Sequence, residues 1–462
     1  MYIHQIYTNC LAQAAYYIES DREAAIIDPL RDPQPYIELA TSRGATIKYI
    51  FETHFHADFV SGHLDLSRAT GAAIVFGPDA QPAYPAYIAR DKEHLRLGKC
   101  EIEVLHTPGH TIESSCFLLR DEKGNAHALF SGDTLFAGDV GRPDLLSGNL
   151  DAATLASKLY DSIQHNIKTL ADDVIVYPGH GAGSACGKNI GKETKTTIGE
   201  QKKSNYALQD MTREKFIELV TTGQPVPPQY FFSDAKMNKT GYDSFFSVMK
   251  HARHRLAPEE VDRMKREGTI VLDTRSPEVF GKGHVPGSVN IGLDGDFAIW
   301  AGTLYPASTE FILVTDAERE QESITRLARI GFDNIRGVLD GGMDAWLKSG
   351  RPADHIESIT PEKLRELQAT GKYVTLDVRR KAESEQRKLK NSVHFTLSEI
   401  PKNINRLNRN ERYLVCCAGG YRSMIAASLL KAAGIGEVFN VTGGVARVMQ
   451  EEPELVEVMA CS

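Results

Sequence analysis

An internal repeat in the C-terminal half of the chain is the feature that most restricts its fold. The segment APEEVDRMKREGTIVLDTR at residues 257–275 matches TPEKLRELQATGKYVTLDVR at residues 360–379, with an offset of 103 to 104 residues. In both copies a proline begins a helical pattern, a glycine ends it and an apolar strand follows, which together make one αβ unit. A repeat of about 100 residues predicts a duplicated domain rather than a solenoid.

The first 185 residues have a different pattern, in which short strand-like runs alternate with turns and helical stretches. Four of these strands end in loops that carry histidine or aspartate, which is typical of layered α/β folds that build a site at strand ends. Residues 186–250 are polar and lysine-bearing, and we interpret them as a tail helix plus a linker. The sequence therefore predicts three domains, which span residues 1–250, 256–352 and 357–457.

Composition narrows the class of protein. The 462 residues suit about two to four domains, and a formal net charge of −8 with a pI near 6 gives no electrostatic reason to expect nucleic acid as a partner. The stretch MYIHQIYTNCLAQ lacks the basic and apolar regions of a signal peptide, and no apolar run approaches the roughly 18 residues of a membrane span. Seven scattered cysteines indicate reduced thiols. We therefore expect a cytoplasmic protein that binds neither nucleic acid nor membrane.

Metal-ligating side chains recur in the N-terminal region at wide spacing. The stretch ETHFHADF contains His54, His56 and Asp58, and places Phe59 next to the aspartate. Imidazole and carboxylate donors gathered from several loops suit zinc or iron(II). Three further donors lie in the motifs HTPGH, SGDTL and YPGHG, namely His110, Asp133 and His180.

The order of these motifs, HxHxD, HTPGH, GDTL and YPGH, resembles that of the metallo-β-lactamase superfamily over about residues 1–240. The repeated unit, whose second copy carries CCAGGYRS at residues 416–423, resembles a rhodanese domain. The two resemblances imply an α/β fold class, an αββα metallo-β-lactamase sandwich followed by two rhodanese-like α/β domains, with the metal at one edge of the two sheets. In dinuclear hydrolases of this family, such as the hydroxyacylglutathione hydrolases, a histidine after the HxHxD aspartate helps to hold a second metal. Phe59 stands at that position here and offers no donor atom.

With Phe59 at this position, the chain looks like the one-metal branch of the family, the persulfide dioxygenases, and within it the subgroup that carries rhodanese domains. That resemblance implies one iron(II) per chain, with the ligands carried over to His54, His110 and Asp133. Three ligands on one face of an octahedron leave positions for a persulfide sulfur and for O₂. The remaining donors would orient ligands and water: His56, Asp58 and His180.

Two further residues are candidates for the mouth of this site. Arg142, in GDVGRPDLL at residues 138–146, would bind a substrate carboxylate or pair with Asp144. Cys186 lies six residues after His180, where the resemblance places a cysteine in the fused subgroup. Cys186 would carry a persulfide there, or would serve as a small buried apolar residue.

The second repeat contains CCAGGYRS at residues 416–423, between a strand-like run and a helical one. Backbone N–H groups at a helix N-terminus and the guanidinium of Arg422 favour negative charge on a nearby sulfur. The stretch resembles the rhodanese active loop, Cys-x-x-Gly-x-Arg-Ser, within a match over roughly 357–455, and it is shorter than a phosphatase loop. The resemblance implies that Cys417 accepts sulfur, with the other loop residues around it: Ala418, Gly419, Gly420, Tyr421 and Ser423. We expect Cys416, at the end of the strand, to face the core and to be structural.

The first repeat keeps the rhodanese framework in DTRSPEVFGKGHVPGSVNIG at residues 273–292 but changes the loop. Alignment of FILVTDAERE places Asp316 opposite Cys417 and Glu322 opposite Arg422, so that neither a nucleophile nor a cationic group is expected there. We therefore predict that the first repeat is inactive and serves in docking or spacing.

These motifs predict a persulfide dioxygenase and a thiosulfate sulfurtransferase on one chain, for the detoxification of sulfide. The expected partners are O₂, sulfite or thiosulfate, and a low-molecular-weight thiol persulfide of the glutathione, coenzyme A, cysteine or bacillithiol type. The inactive repeat and the resemblance also favour a homo-oligomer, a dimer or a tetramer. Two alternatives stay open: a dinuclear zinc thioester hydrolase of the glyoxalase II type with a regulatory rhodanese pair, and a non-catalytic persulfide relay.

Overall fold

The computed structural model describes residues 1–145, 150–224 and 226–458. Leu146, which ends the GDVGRPDLL stretch, and Cys461 lie outside these residues. Contacts divide the chain into two compact units. The first comprises Met1–Val248 and Leu327–Gly331, and the second comprises Met249–Arg326 and the chain from Phe332 onward.

Two six-stranded sheets form the centre of the first unit. The strands of the first sheet are β1 (Tyr2–Thr8), β2 (Gln13–Ser20), β3 (Glu23–Ile27), β4 (Thr46–Phe51), β5 (Ala73–Phe76) and β6 (Tyr87–Ile88), in that spatial order. Those of the second sheet, in the spatial order β12 to β7, are β7 (His94–Leu97), β8 (Cys100–His106), β9 (Ser115–Arg120), β10 (Ala126–Gly132), β11 (Ile175–Pro178) and β12 (Thr196–Thr197).

Hairpins begin both sheets, and parallel pairs follow. The β2–β3 hairpin turns at Asp21 and Arg22, whose φ angles of 51° and 64° are those of a two-residue type I′ turn. From β3 to β6 the first sheet is parallel, and in the second sheet β10 pairs with β11 in parallel. Parallel neighbours end at the same edge of a sheet, so the loops that follow them lie close together.

Seven helices lie along the first unit and its end: α1 (Gln34–Arg43), α2 (His63–Thr70), α3 (Ala152–Ser162), α4 (Ile198–Ser204), α5 (Arg213–Thr221), α6 (Tyr230–Thr240) and α7 (Phe245–Ala252). Side-chain caps begin several of them. The Asp151 carboxylate accepts the Thr154 N–H at the start of α3, and Thr197 with Glu200 forms a capping box on α4.

The core of the first unit has the layers expected of an αββα sandwich. Between the sheets, aromatic and branched side chains alternate inward along the strands, including Tyr16 and Phe51 from one sheet and Phe117 and Phe130 from the other. The outer face of the first sheet packs against α1 and α2, and that of the second packs against α3 and α5.

The prediction of one tail helix plus a linker for residues 186–250 is wrong, because this segment forms the four helices α4 to α7. Each has only 7 to 11 residues, which is short for a periodic signal. In α6 the buried face also includes polar side chains, Asp234 and Asn238 beside Tyr230 and Phe231, so its apolar pattern is interrupted.

The second unit contains two parallel sheets, one from each repeat. The first has the spatial order β13-β17-β16-β14-β15, from β13 (Arg255–Leu256), β14 (Ile270–Asp273), β15 (Val289–Asn290), β16 (Phe311–Val314) and β17 (Ile335–Leu339). The second has the order β18-β23-β22-β19-β21, and β20 pairs separately with β24. Its strands are β18 (Glu357–Ile359), β19 (Val374–Asp377), β20 (Arg387–Leu389), β21 (Ser392–His394), β22 (Tyr413–Cys416), β23 (Val438–Val441) and β24 (Val456–Val458).

The helices of the two repeats correspond in order. The first repeat has α8 (Pro258–Arg266), α9 (Pro277–Lys282), α10 (Phe297–Leu304), α11 (Glu320–Ala328) and α12 (Gly342–Lys348). The second has α13 (Pro361–Ala369), α14 (Lys381–Gln386), α15 (Ile400–Asn403), α16 (Tyr421–Ala432) and α17 (Gly444–Glu451). Among the helices of the described residues, none combines the length and apolar composition needed to cross a membrane.

Candidate metal centre and sulfur-transfer loop

Loops at the ends of four strands bring the predicted metal ligands together. His54 follows β4 of the first sheet, whereas His110, Asp133 and His180 follow β8, β10 and β11 of the second. The site therefore lies where strands from both sheets end at one edge of the sandwich, and each donor is carried by a short loop on a rigid strand.

His54, His110 and Asp133 form a buried group, the ligand triad, in which one donor atom of each lies within 4.8 Å of the others. His110 Nε2 lies 3.4 Å from Asp133 Oδ2, and the two histidine rings are nearly perpendicular, with centroids 4.9 Å apart. Among the described residues, neither carboxylate oxygen of Asp133 has a hydrogen-bond partner. A buried carboxylate without partners costs free energy unless a cation binds it, so this donor set fits a metal ion.

The Nδ1 atoms of two histidines at the centre are anchored to the backbone. His110 Nδ1 lies 2.8 Å from the Arg142 carbonyl oxygen, and His180 Nδ1 lies 3.2 Å from that of Ala12. Because a carbonyl oxygen only accepts, Nδ1 carries the hydrogen in both rings. In the neutral ring, Nε2 then carries the lone pair that a metal ion requires.

His56 turns toward two carboxylates instead of joining the triad. Its Nε2 lies 3.0 Å from Asp28 Oδ1 and 3.5 Å from Glu52 Oε2, and its ring stacks on Phe59 with centroids 4.3 Å apart. Burial opposes the charged form, but Asp28 above all raises the pKa of His56 to about 9. A protonated imidazole has no lone pair for a metal. For His54, in contrast, burial and its histidine neighbours hold the pKa well below its ordinary value.

A second buried group lies beside the triad and consists of Asp58, His180 and Cys186, with donor atoms within 4.8 Å of one another. His180 Nε2 is 3.3 Å from Asp58 Oδ2 and 3.5 Å from Asp133 Oδ1, so the two groups meet at Asp133. Burial, together with the charges of Asp58 and Asp133, raises the pKa of the Cys186 thiol well above its ordinary value. These surroundings favour the neutral thiol of Cys186 over the thiolate.

Arg142 is buried and pairs with Asp144. Its Nε and Nη2 atoms lie 2.8 Å and 2.7 Å from the two oxygens of that carboxylate. Although burial opposes it, the contact with Arg142 lowers the pKa of Asp144. The Arg142 backbone also links the two donor groups, because its carbonyl accepts from His110 and its N–H donates to the carbonyl of Cys186 at 3.0 Å. Of the two predicted partners of Arg142, the structure provides Asp144.

Glycines allow this close packing. A Cβ on Gly179 would lie 2.8 Å from Asp133 Oδ1, and one on Gly141 would lie 2.1 Å from the Asp133 carbonyl oxygen. Both distances are shorter than Cβ atoms tolerate. The glycines of YPGHG and GDVGR are therefore needed for space beside the ligands, in addition to any role in turning the chain.

Asn238 is a residue that sequence reasoning missed. From α6, its side-chain amide donates to the carbonyls of His56 and Phe59 at 2.8 Å and 2.7 Å, and its Oδ1 accepts the Ser61 N–H at 2.8 Å. One amide thus binds three backbone groups of the loop that follows His54. Asp28 was missed too, although its place directly after β3 is a signal that could have indicated a site residue.

Cys417 lies directly after β22, and we call residues 417–423, which continue into the first turn of α16, the sulfur loop. Its Sγ accepts the Gly420 N–H at 3.1 Å and lies 3.3 Å from the Ser423 hydroxyl. Its carbonyl accepts the Val445 N–H at 2.7 Å, which fastens the loop to the start of α17. The thiol is buried. A sulfur surrounded by N–H and O–H donors at a helix N-terminus is suited to hold negative charge.

Arg422 forms an ion pair with Glu383, a residue that the sequence motifs did not indicate. Nη1 and Nη2 of Arg422 each lie 2.7 Å from a carboxylate oxygen of Glu383, at the start of α14. The contact with Arg422 lowers the pKa of Glu383. Cys416 is buried with the apolar core of the second repeat, and burial raises the pKa of its thiol well above the ordinary value.

The strand register of the first repeat places Thr315 opposite Cys417. In both repeats the last residue of the central strand pairs with an aspartate, namely Val314 with Asp273 and Cys416 with Asp377. The residue after each pair is therefore equivalent, and the predicted alignment of Asp316 with Cys417 is wrong by one residue.

A hydroxyl contact supports this correction. Ser323 Oγ lies 3.1 Å from the Thr315 hydroxyl, just as Ser423 Oγ lies 3.3 Å from the Cys417 sulfur. Eight positions separate Thr315 from Ser323, whereas six separate Cys417 from Ser423. The loop is thus longer in the first repeat, and an ungapped alignment across it slips.

Two known families match the chain. The metallo-beta-lactamase superfamily matches residues 8–180, and the rhodanese-like domain matches residues 257–349 and 360–451. These matches and the two kinds of architecture described above confirm the predicted fold class.

Named relatives of the N-terminal part include a hydrolase and a dioxygenase. A probable hydroxyacylglutathione hydrolase of Schizosaccharomyces pombe is 33% identical over 165 residues, covering 35% of this chain and 60% of that protein. The mitochondrial persulfide dioxygenase ETHE1 of Homo sapiens is 29% identical over 216 residues, covering 46% of this chain and 77% of that protein. The chain spans about 60% of the length of the first curated relatives that it matches.

A solved structure is similar over more of the chain. The crystal structure of a metallo-beta-lactamase from Staphylococcus aureus subsp. aureus COL is 33% identical, with a TM-score of 0.65, and the match covers 73% of this chain and 98% of that one. The shared fold and the rhodanese-like repeats point to an enzyme. The chain belongs to the metallo-beta-lactamase superfamily and carries two rhodanese-like domains after its metallo-beta-lactamase domain.

Proposed function

We propose that this chain is a persulfide dioxygenase fused to a sulfurtransferase. The observation that carries the proposal is a triad of two histidines and one carboxylate from which His56 is withdrawn, in contact with Asp28 and Glu52. Such a triad suits a single non-haem iron(II), and the Cys417 loop on the same chain suits a sulfur product. A persulfide dioxygenase is among the relatives of the N-terminal part.

His54, His110 and Asp133 would hold one iron(II) per chain. When bound, iron(II) supplies open coordination positions and electron exchange, by which a thiol persulfide can react with O₂. The overall change balances as RSS⁻ + O₂ + H₂O giving RSH, sulfite and one proton. The outer sulfur is oxidised and O₂ is reduced.

The neighbouring residues would prepare the site for this substrate. His180 Nε2 carries a lone pair beside Asp58, so it can take up the proton released when water enters the reaction. Asp58 would orient that water. His56, held as a cation between Asp28 and Glu52, would orient the loop that carries His54.

Cys417 would carry sulfane sulfur as a covalent persulfide. Its thiolate attacks the outer sulfur of a thiol persulfide, the S–S bond of the donor breaks and a thiolate leaves. Sulfite then attacks the outer sulfur of the Cys417 persulfide, which releases thiosulfate and restores the thiolate. The Gly420 N–H and the hydroxyl of Ser423 are placed to bind the anionic sulfur in both steps.

Cys186 would be a second sulfur carrier, at the metal centre. In exchange with RSS⁻, His180 Nε2 takes the proton of the Cys186 thiol, and the thiolate attacks the outer sulfur of the donor. The S–S bond of the donor then breaks, and the departing thiolate RS⁻ takes up the proton from His180. The buried position of Cys186 beside Asp58 and His180 supports this role. Six cysteines of the described chain are free, which agrees with a reducing compartment, and we propose the cytoplasm.

Metal content and O₂ uptake test the dioxygenase part. Protein purified without air should contain about one iron per chain and take up O₂ only when a thiol persulfide is added. His54→Ala should lose both properties. His165→Ala, which removes a largely exposed histidine of the same unit, should lose neither. Persulfide-independent O₂ uptake, or uptake without iron, would contradict the assignment.

Product analysis tests the sulfurtransferase part. Cys417→Ser should leave O₂ uptake unchanged while the product shifts from thiosulfate to sulfite, because sulfite is made at one site and combined with sulfur at the other. Cys10→Ser is the matched control and should leave the thiosulfate yield unchanged. If Cys417→Ser leaves that yield unchanged as well, Cys417 has no such role, and Cys186→Ser is the next variant.

The second buried group favours one alternative, a dinuclear zinc thioester hydrolase. Cys186 could complete a second metal site with Asp58 and His180, in place of the donor that Phe59 does not provide. A hydroxyacylglutathione hydrolase is also among the relatives. Two zinc ions per chain and thioester hydrolysis without persulfide-dependent O₂ uptake would favour this alternative over the dioxygenase.

A further inference from the structure

We propose that the inactive first repeat positions the sulfur loop of the second repeat by holding Tyr421. This inference rests on the proposed sulfurtransferase function and gives the inactive repeat a defined role within it. Apart from Leu327–Gly331, both repeats belong to one compact unit. The residues that hold Tyr421 are Gly292 and Gly295, which lie after β15 of the first repeat.

The contact has a polar part and an apolar part. The Tyr421 hydroxyl donates to the Gly292 carbonyl at 2.7 Å. A Cβ on Gly295 would lie 2.5 Å from Tyr421 Cζ and 2.7 Å from Cε1 and Cε2, so the ring rests directly on the glycine backbone. Gly295 has no left-handed φ. Its lack of a side chain is therefore needed for the tyrosine ring and not for the backbone.

Hydrogen bonds hold the segment of the first repeat that contacts the Tyr421 ring. Arg326, on α11, donates to the Gly295 carbonyl at 3.0 Å. The Asn290 side chain donates to the backbone carbonyls of Asp273 and Arg275 at 3.0 Å and 2.9 Å. A second link between the repeats lies alongside, since the Asn290 N–H donates to Ser428 of α16 at 3.0 Å. Residues 290–295 thus form a firm support.

Tyr421 links the first repeat to the groups that surround the Cys417 sulfur. It stands between Gly420, whose N–H donates to Cys417 Sγ, and Arg422, which is paired with Glu383. A displacement of Tyr421 therefore moves a donor to the sulfur and the cationic group together. We classify Tyr421 and Gly295 as positioning residues, because neither is required to touch the transferred sulfur.

The hydroxyl of Tyr421 is also kept in its donating form. Burial, with a contribution from Asp296, raises the pKa of Tyr421 well above its usual range, and Arg326 opposes this only in part. The contact with the Gly292 carbonyl consequently persists at any pH at which the protein would work.

Gly295→Ala tests the proposal, with Gly283→Ala as the matched control. A Cβ at Gly283 meets open space, and its backbone is extended. Gly295→Ala should lower the kcat for sulfur transfer from thiosulfate about tenfold and slow the alkylation of Cys417 at pH 7 at least about threefold. KM should change less than kcat. Gly283→Ala should change neither rate, and O₂ uptake should be the same in both variants.

A double-mutant cycle separates positioning from a general loss of folding. Tyr421→Ala removes the ring that the new methyl group would strike, so Gly295→Ala should have little further effect in that background. Tyr421→Phe should show a smaller loss than Tyr421→Ala, because the ring contact stays and only the hydroxyl is lost. Additive losses, or a normal Gly295→Ala variant, would overturn the proposal.

Failure of the proposed function would give a different result. If the wild-type chain transfers no sulfur, the sulfurtransferase assignment fails. Alkylation of Cys417 still measures the position of the loop in that case. A slower alkylation in Gly295→Ala than in Gly283→Ala would then support the positioning role by itself, and equal rates would contradict it.

Discussion

His54 and His56 are separated by one position, yet the structure gives them opposite tasks. His54 joins the triad with His110 and Asp133, whereas His56 lies against Asp28 and Glu52. An HxHxD motif shows that two imidazoles are near a metal, but it does not show which nitrogen faces it. The side chain of His56 faces Asp28, which follows another strand, and Glu52, which follows its own, because a buried imidazole turns toward the groups that stabilise its charge.

Asn238→Ala should weaken metal binding although Asn238 is not among the candidate ligands. The change removes three hydrogen bonds to the loop after His54 and leaves the carbonyls of His56 and Phe59 unsatisfied in a buried place. We expect the free energy of unfolding of the first unit to fall by about 2–3 kcal/mol and iron to be lost faster to a chelator. Thermal unfolding and the rate of iron release measure the two effects.

Asn125→Ala is the control for this prediction. Asn125 also makes a side-chain hydrogen bond in the first unit, to Asp121, but it lies in an exposed turn, where water replaces a lost partner. It should leave iron release unchanged. Equal rates of release in the two variants would show that Asn238 does not hold the loop.

At the scale of elements, equivalent glycines at a helix start in the two repeats have different surroundings. Gly342 and Gly444 both begin helices, α12 and α17, and both have φ of +57°. A Cβ on Gly444 would collide with the carbonyl of Cys417 and with Ala418, whereas nothing lies within 4 Å of a Cβ on Gly342. Only the second repeat packs its loop tightly on the following helix.

Gly444→Ala and Gly342→Ala therefore form a matched pair. Each change should cost about 1–2 kcal/mol for the left-handed backbone of the new alanine. Only Gly444→Ala should also displace the sulfur loop and lower sulfur transfer by about tenfold or more. Stability from chemical denaturation, together with thiosulfate sulfurtransferase assays, compares the two. Equal activity losses would mean that the collision with Cys417 is relieved without moving the loop.

His284, between α9 and β15, should make the second unit sensitive to acid. Burial lowers its pKa from 6.5 to about 4, against the opposing effects of the Phe280 carbonyl and Asp354 and with support from Lys431 and Arg275. The unfolded chain therefore binds a proton at a higher pH than the folded one. Stability is complete above about pH 6.5 and falls as the pH drops toward 4.

Between pH 7 and pH 4.5, this residue should reduce the free energy of unfolding by about 2–3 kcal/mol. His284→Gln, which stays neutral, should remove that part of the pH dependence and leave the rest. The measurement is denaturant unfolding of both proteins at the two pH values. Parallel losses of stability in wild type and variant would show that His284 is not responsible.

At the scale of the whole molecule, metal binding and tryptophan fluorescence report on different units of the chain. The triad lies in the first unit, and both tryptophans, Trp300 and Trp346, lie in the second. They are buried there, so their fluorescence follows the unfolding of the second unit.

Removal of the proposed iron(II) should consequently lower the melting temperature of one unit only. A chelator should shift a calorimetric transition downward by about 5–10 °C and leave the fluorescence transition in place, because the ion stabilises the unit that binds it. In His54→Ala the chelator should have no effect on either signal. A joint shift of both signals would show that the two units unfold together.

The sequence by itself determined the fold class, the duplication, and the residue types of both sites. Motifs such as HTPGH and CCAGGYRS can be recognised in the sequence because strand ends and helix starts need particular residues next to one another. The same holds for the chemistry: two histidines with an aspartate predict a metal, and a cysteine before a helix predicts a reactive sulfur.

Only the tertiary structure decided how these residues are used. The withdrawal of His56, the place of Cys186 beside Asp58 and His180, and the support of Tyr421 by Gly295 all join residues that are distant along the chain. Thr315 took the place predicted for Asp316 because the length of a loop is set by what packs around it. The physical reason is common to these cases: contacts between distant segments leave no periodicity or spacing in the sequence, and they appear only when the core is packed.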